Sequence, residues 1–500
     1  MTTRRQFLTG LGATAAVASA PGFINFSQRR LGSSNTLTNT VLEADLETFG
    51  SDADPSFLIH YQGDDEREQL ESWVDSNAVK KRELENVNLM AISASWEDIG
   101  LQQRGYGPAS INQISGGVQE NDYVDYIDAN MSVEVPEPID ELEGSDAWSY
   151  DFGWRRTAAL MVRTRSWSPT PDGIEGLAFD GDAPEATIPE ARDLVRADDD
   201  LIDSVDTSEL TIAVIDTGVN DGSTFGDRIL PESTDFTSDS DPTGIDAVAD
   251  GDGHGTWVAA CMAGSDGFAP DAGILGLKAL GDDGGGQTKD IVAAVDKAIE
   301  EEADIVCLSL GSPLPSQALA DALADARDAG VFCVVAVGND RFVTVFTNSP
   351  ADADDGFGVN ASNVPESGDR DDTKPAYFGN TAPDPDTGNG PELVAPGMNI
   401  TAELPSGPST LSGTSMAAPM VGGGAALLRA SEGTDVDETW DRLTATGHPL
   451  EHAGETEAEF GLLDVQAAID DDEPDDDRDE IRSAEAEARD AFNETLSTIL

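Results

Sequence analysis

Three short stretches of this chain carry residue types that together could activate a hydroxyl: Ala213-Val214-Ile215-Asp216-Thr217-Gly218, His254-Gly255-Thr256 and Gly413-Thr414-Ser415-Met416-Ala417-Ala418-Pro419. A serine hydroxyl is a poor nucleophile at its own pKa and needs a base in hydrogen-bond reach, for which a neutral imidazole titrating near about 6.5 is suited. A carboxylate on the other ring nitrogen fixes the tautomer and stabilises the imidazolium that forms. Asp216, His254 and Ser415 supply one of each. Of the four histidines, His60 lies in an N-terminal region and His448 and His452 flank a polar loop. His254 is framed by Asp252-Gly253 and Gly255-Thr256 at what reads as a helix start. Taken singly, an Asp after a strand is also a turn or cap residue, and a Ser before a helix also a cap.

The elements needed to gather these residues can be read around them. From about 189 to 470, apolar runs at 211–215, 274–280, 305–310 and 331–337 read as strands, apolar on both faces. Helical stretches fall between them at 254–263, 291–301 and 317–328, the last capped by Ser316 and ended by Gly330. This alternation predicts an α/β fold, a mostly parallel sheet with helices on both faces, whose ligands bind at the carboxyl ends of the strands. Asp216, Ser309 and Asn339 all fall at such ends. Residues 416–429 should form a helix with Pro419 in its first turn, aiming the Ser415 amide and the helix dipole at a reacting oxygen. The Asn339 side chain could give a second N–H to the same oxygen, although Gly-Asn after a strand is also a common turn.

Composition sets the working conditions. With 97 acidic residues against 28 Lys plus Arg, the formal charge is -69. The apolar runs argue against disorder, so the chain reads as a folded protein whose self-repulsion is screened in molar salt, as in a halophile. Nucleic acid and anionic membranes are excluded as partners on charge. Thr3-Arg4-Arg5-Gln6-Phe7-Leu8, a short apolar stretch and Ala18-Ser19-Ala20 read as a twin-arginine export signal within residues 1–30, too short for a membrane span. The expectation is a secreted, soluble product without a stable membrane anchor. Cys261, Cys307 and Cys333 sit in apolar runs and read as buried small hydrophobes.

Residues 40–135 read as a small α+β unit: strand 57–61, helix 66–74, strand 87–92, helix 96–104 and one or two strands in 123–135. Residues 136–187 show no clear period and read as a linker or insertion. Beyond the unit at 188–470, residues 471–500 read as an acidic linker and a charged helix from about 479.

On these motifs the chain resembles the subtilisin-like serine proteases, the subtilases, and among them the secreted halolysin type. The resemblance rests on Val214-Ile215-Asp216-Thr217-Gly218, His254-Gly255-Thr256-Trp257-Val258-Ala259, the Ser415 motif, Val394-Ala395-Pro396-Gly397 and Gly461-Leu462-Leu463-Asp464-Val465. It implies a serine endopeptidase acting on polypeptides, with Asn339 as the oxyanion residue beside the Ser415 amide. It implies that Gly284, Gly285 and Gly286, with Ser309, Leu310 and Gly311, pair with an extended substrate, and that Ala336, Val337 and Gly338 wall the main specificity slot. Small residues there imply a roomy apolar slot and broad specificity. The 40–135 unit resembles the family's propeptide, an intramolecular inhibitor removed by self-cleavage. Trp257 and Met420 stand where relatives carry His. The 264–268 loop is shorter than the family's calcium loop, so that calcium site is not carried over; no cofactor is expected, and calcium could add stability elsewhere. An esterase of the α/β-hydrolase type is excluded by chain order, since that family places Ser before Asp and His.

Overall fold

Short amphipathic strands that cover one helix and leave a second face to bury need a partner, and the N-terminal part of the chain is built this way. The computed structural model describes residues 55–474 except 104–110, 114–116, 136–176, 179, 239, 342–346, 382–389 and 451–456. The export-signal reading at 1–30, most of the linker and the tail helix lie outside the described residues. Strands β1 (Ser56–His60), β2 (Val79–Leu84), β3 (Leu89–Ser93) and β4 (Tyr126–Ala129) form an antiparallel sheet ordered β2-β3-β1-β4, with helix α1 (Asp64–Asn77) after β1. One side carries Phe57, Ile59, Met90, Ile92 and Ile127 with Leu70 and Val74 of α1. The other side, Leu58, Leu84, Leu89 and Ala91, belongs to the core of the large unit that follows.

Two expectations differ here. β2 escaped the sequence reading because Lys80, Lys81 and Arg82 make it an exposed edge strand. The helix expected over 96–104 is a single turn, Trp96–Ile99, stopped by Gly100 in the left-handed region at φ 98° and followed by a short strand.

Next along the chain come β5 (Ser132–Glu134), β6 (Thr211–Asp216), β7 (Thr234–Asp235), α2 (His254–Ala263), β8 (Gly273–Lys278), β9 (Gly285–Gln287), α3 (Thr288–Glu300), β10 (Ile305–Leu308), α4 (Gln317–Asp328), β11 (Phe332–Ala336), β12 (Phe357–Ser362), β13 (Leu393–Pro396) and α5 (Thr414–Glu432). A seven-stranded sheet runs β7-β8-β6-β10-β11-β12-β13 with every pairing parallel. In β6, Ile212 and Val214 join the side covered by α2 and α5, while Ala213 and Ile215 join the side covered by α3 and α4. That two-sided burial explains the unbroken apolar runs. Cys261, Cys307 and Cys333 are free and buried, and burial pushes their thiols up, so they pack as small hydrophobes.

Residues 177–187, read as the end of the linker, bond into the large unit: Ala178 bridges to Ala376 and Ala186–Thr187 pairs with Ile400–Leu404. Helix α5 begins at Thr414, two residues earlier than expected, so Pro419 lies in its second turn rather than its first. Proline lacks the N–H that would bond the Ser415 carbonyl. Ser309 Oγ takes that place, donating to the carbonyl at 3.0 Å. Among the described residues no helix is long and apolar enough to cross a membrane.

Candidate active site

The carboxyl ends of β6 and β10 lie side by side, Leu308 opposite Ile215, so the residues that follow, Ser309 and Asp216, are neighbours across one strand spacing of about 4.8 Å. Asp216 is fully buried and its Oδ1 accepts from Thr217 N at 2.7 Å and from His254 Nδ1 at 2.8 Å. Because a carboxylate accepts only, Nδ1 carries the proton and Nε2 of the neutral ring is left as the base. That Nε2 is buried and has no partner among the described residues. Burial alone would lower the His254 pKa; the charge and hydrogen bond of Asp216, with Asp252 and Asp250 beyond, outweigh it and the net shift is upward.

Helix α2 must start close against β6 to bring the ring there. A Cβ on Gly255 would sit 2.3 Å from the Gly218 carbonyl, so glycine is required directly after the histidine. The start of α2 is organised by Asp250, which the sequence reading did not single out. Its Oδ1 accepts from Thr217 Oγ1, Asp252 N and Gly253 N at 2.9, 3.1 and 2.7 Å, and its Oδ2 from Thr256 N and Thr256 Oγ1 at 2.8 and 2.6 Å. One buried carboxylate thereby ties the residue after Asp216 to the turn that carries His254. Lys278, opposite Asp216 on β8, is also buried and donates to the Thr217 carbonyl and to Asp282 at 2.8 Å.

Ser415 is the second residue of α5, where backbone N–H groups have no intrahelical acceptor. Its hydroxyl donates to the Ser309 carbonyl at 3.3 Å, so it is parked one strand away from Asp216 and is not bonded to His254 Nε2. Asn339 Oδ1 accepts from Thr414 N at 2.9 Å and Thr414 Oγ1 at 3.0 Å, which turns its Nδ2 to the opposite side, 3.1 Å from where a Cβ on Gly413 would lie. Asn339 and Ser415 thus bring a side-chain amide and a helix-start amide to one place. The other histidines are engaged elsewhere: His60 stacks on Tyr126 and bonds Asp125, and His448 bonds Asp371; His452 is outside the described residues.

The segments Gly284–Gly286 and Ser309–Gly311 do not stand open. Strand β5 of the N-terminal part lies between them, antiparallel to β9 with Glu134 opposite Gly285 and Val133 opposite Gly286. Val135 N–H donates to the Gly284 carbonyl at 3.0 Å, and Glu134 and Gly311 exchange hydrogen bonds of 3.3 and 3.1 Å. Further contacts tie the N-terminal unit to the starts of two helices. Met131 O and Asn130 Oδ1 accept from Thr288 N and Lys289 N of α3 at 2.9 Å each. Buried Asp128 accepts from Ser316 Oγ at 2.9 Å and Ala318 N at 3.1 Å at the start of α4. Arg82 reaches between Asp290, at 3.0 Å, and Asp241, and lies over the Phe236 ring. Ala336, Val337 and Gly338 end β11 beside the 309–311 segment. No group of three or more His, Cys, Asp or Glu side chains among the described residues could hold a metal ion.

Comparison with known proteins gives the same family. The family model for the subtilases, peptidases of S8 type, matches residues 207–459. Over 257 residues the chain is 37% identical to "Subtilisin-like serine protease Pen ch 13" of Penicillium rubens, a match covering 49% of this chain and 59% of that protein. It is 32% identical over 256 residues to the "Major intracellular serine protease" of Bacillus subtilis (strain 168), covering 49% of this chain and 76% of that one. "Subtilisin-like protease 1" of Trichophyton verrucosum is 34% identical over 257 residues, with 49% and 59% covered. The match therefore spans about three fifths of the length of these fungal relatives.

Proposed function

The chain belongs to the subtilase family, and from that premise we propose that it is a serine endopeptidase that cuts polypeptides through an acyl-enzyme on Ser415. The observation that carries this reading is the Asp216–His254 bond, 2.8 Å long, set one strand away from a serine whose hydroxyl rests on the Ser309 carbonyl. In the reaction the Ser415 hydroxyl swings to His254 Nε2, gives up its proton there and attacks the peptide carbonyl. Asn339 Nδ2 and the Ser415 N–H receive the oxyanion. The imidazolium, stabilised by Asp216, then protonates the leaving amine, and water repeats the cycle on the ester. The substrate adds a strand between Gly284–Gly286 and Ser309–Gly311, recognition by main chain that tolerates many sequences. Ala336, Val337 and Gly338 flank the side chain next to the cut.

The N-terminal unit acts on this reading as an intramolecular inhibitor and folding partner, since β5 takes the place of a substrate strand and the unit caps α3 and α4. The product is exported by the twin-arginine route and works in molar salt, as the 3–20 pattern and the charge of -69 argue. No cofactor takes part in the chemistry.

The test is a casein assay in molar salt comparing the parent with Ser415→Ala. The parent is expected to clear substrate and the variant to lose roughly 10⁶-fold in turnover, the size of loss that removing the nucleophile causes in subtilisin. The variant should also accumulate with its N-terminal unit attached. Equal clearing by both proteins would refute the reading.

A further inference from the structure

The slot beside Ser415 has a polar floor. Strands β10 and β11 lie side by side, and their continuations, Ser309–Gly311 and Val337–Gly338, form its two walls. The segment at Asn348 crosses between the walls: Asn348 N–H donates to the Val337 carbonyl at 3.0 Å, and Ser349 exchanges hydrogen bonds of 2.9 and 2.8 Å with Ser312. Glycines in the walls make room for side chains of this floor. A Cβ on Gly338, whose φ is 100°, would lie 2.5 Å from Asn348 Nδ2 and 2.6 Å from Asn380 Nδ2, and one on Gly311 would lie 3.0 Å from Asn348 Cβ. Both asparagines are buried. The roomy apolar slot expected from Ala336-Val337-Gly338 is therefore closed at its base by two carboxamides contributed from far along the chain.

Hydrogen bonding fixes which way those amides are turned. Asn380 Nδ2 donates to Asn348 Oδ1 at 3.2 Å, and the Asn348 side chain in turn holds the Asp340 carboxylate. A carboxylate only accepts, so the donors run from Asn380 through Asn348 to Asp340. Two acceptors are left over around this floor. One is Asn380 Oδ1, buried and without a partner among the described residues. The other is the half-buried Asp340 carboxylate, which no cation neutralises among the described residues: adjacent Arg341 is turned away to buried Glu457. Unpaired acceptors and an uncompensated negative charge disfavour an apolar guest and favour a donor that carries positive charge.

We propose that this slot selects lysine or arginine at the residue whose carbonyl is cut, with Asp340 as the charge partner and Asn380 Oδ1 as a hydrogen-bond acceptor. The proposal rests on the peptidase reading and narrows it at one position, leaving the main-chain recognition of neighbouring residues tolerant.

Enzyme produced from the full-length chain is assayed in molar salt on tetrapeptide p-nitroanilides identical except for a final Lys, Arg, Gln, Leu or Phe. The kcat/KM for Lys and Arg is expected to exceed that for Leu and Phe by about tenfold or more. In Asp340→Asn the Lys-to-Gln ratio should fall towards one, whereas Asp340→Glu should keep most of it; a ratio within one preparation does not depend on how much of it folds. Parent enzyme that cuts Leu or Phe as well as Lys, or an Asp340→Asn variant with an unchanged ratio, overturns the proposal. Failure on every substrate, together with no fluorophosphonate labelling of Ser415, overturns the peptidase premise itself.

Discussion

The carboxyl end of the seven-stranded sheet and the edge where the N-terminal unit docks are both rich in carboxylates, yet they use them in opposite ways. At the sheet end, Asp216 and Asp250 are buried and bonded wholly within the large unit, Asp250 by five donors. At the docking edge, Asp128 and Asn130 cap helices of the other unit, β5 pairs through main chain, and Arg82 sits between two aspartates it can leave. Groups of the first kind are held by the core and cannot be exchanged without unfolding it. Those of the second kind bridge two units, so separating the units would hand each group to water or ions without disturbing either sheet. A site held by its own core thus sits beside a second unit docked through polar bridges, and a shared apolar face joins the two.

The largest effect separating the two regions is expected at Asn339. Replacing it by Ala should lower kcat by about 10² to 10³, the loss known for the equivalent donor in subtilisin, with KM nearly unchanged. Thr414 also loses its acceptor, so a modest fall in Tm should accompany the change. Steady-state kinetics on enzyme counted by active-site titration gives the comparison; a loss confined to KM would mean that Asn339 only shapes the cleft.

A smaller effect is expected at the docking edge. In full-length Ser415→Ala protein, Arg82→Ala removes the cation that bridges Asp241 and buried Asp290 and leaves Asp290 to Lys289 alone, a change that costs about 2–5 kcal/mol when a fully buried pair is broken and less here because Asp241 is half-exposed and Lys289 stays at 2.6 Å. Hydrogen exchange should quicken by about tenfold or more at Thr288 and Ala318, the amides that the N-terminal unit covers, and stay unchanged in β6. If β6 amides quicken equally, the two regions unfold as one and the distinction drawn above is false.

How far the sequence alone leads follows the same division. Strands buried on both faces declare themselves, so β6, β8, β10 and β11 and the helices between them were readable, and with them the sheet end where Asp216, Ser309 and Asn339 lie. Asp250, Asn348 and Asn380 were not. Each is an ordinary loop polar residue until tertiary pairing gives it partners 30 or more positions away, as Thr217 does for Asp250 and Asn380 for Asn348. β2 was hidden for the converse reason: an edge strand carrying Lys80, Lys81 and Arg82 shows no apolar run because its apolar contacts are few and its charge faces another unit. Motifs report chemistry that is local in sequence; the residues that tune it are distributed.

The finest test uses protonation. His254 must be neutral to act as a base, and its pKa is raised, so kcat/KM should climb with pH through an acid limb lying above about 6.5 and then level. The same shift acts on stability with the other sign. The folded protein binds the proton more tightly than the unfolded chain, so His254 contributes stability below the unfolded pKa and loses it as pH rises through the folded one. Activity and this part of stability must therefore trade against each other across one window. Asp252 is exposed and contributes to the upward shift, while its Oδ1 accepts from His254 N at 3.1 Å. Asp252→Asn keeps an oxygen in that position and removes the charge, so the acid limb should move to lower pH, by less in molar salt than in dilute buffer because an exposed charge is screened. A limb that moves upward, or one that moves equally at both salt concentrations, would show that the field at His254 comes from elsewhere than the buried Asp216 and its two neighbours.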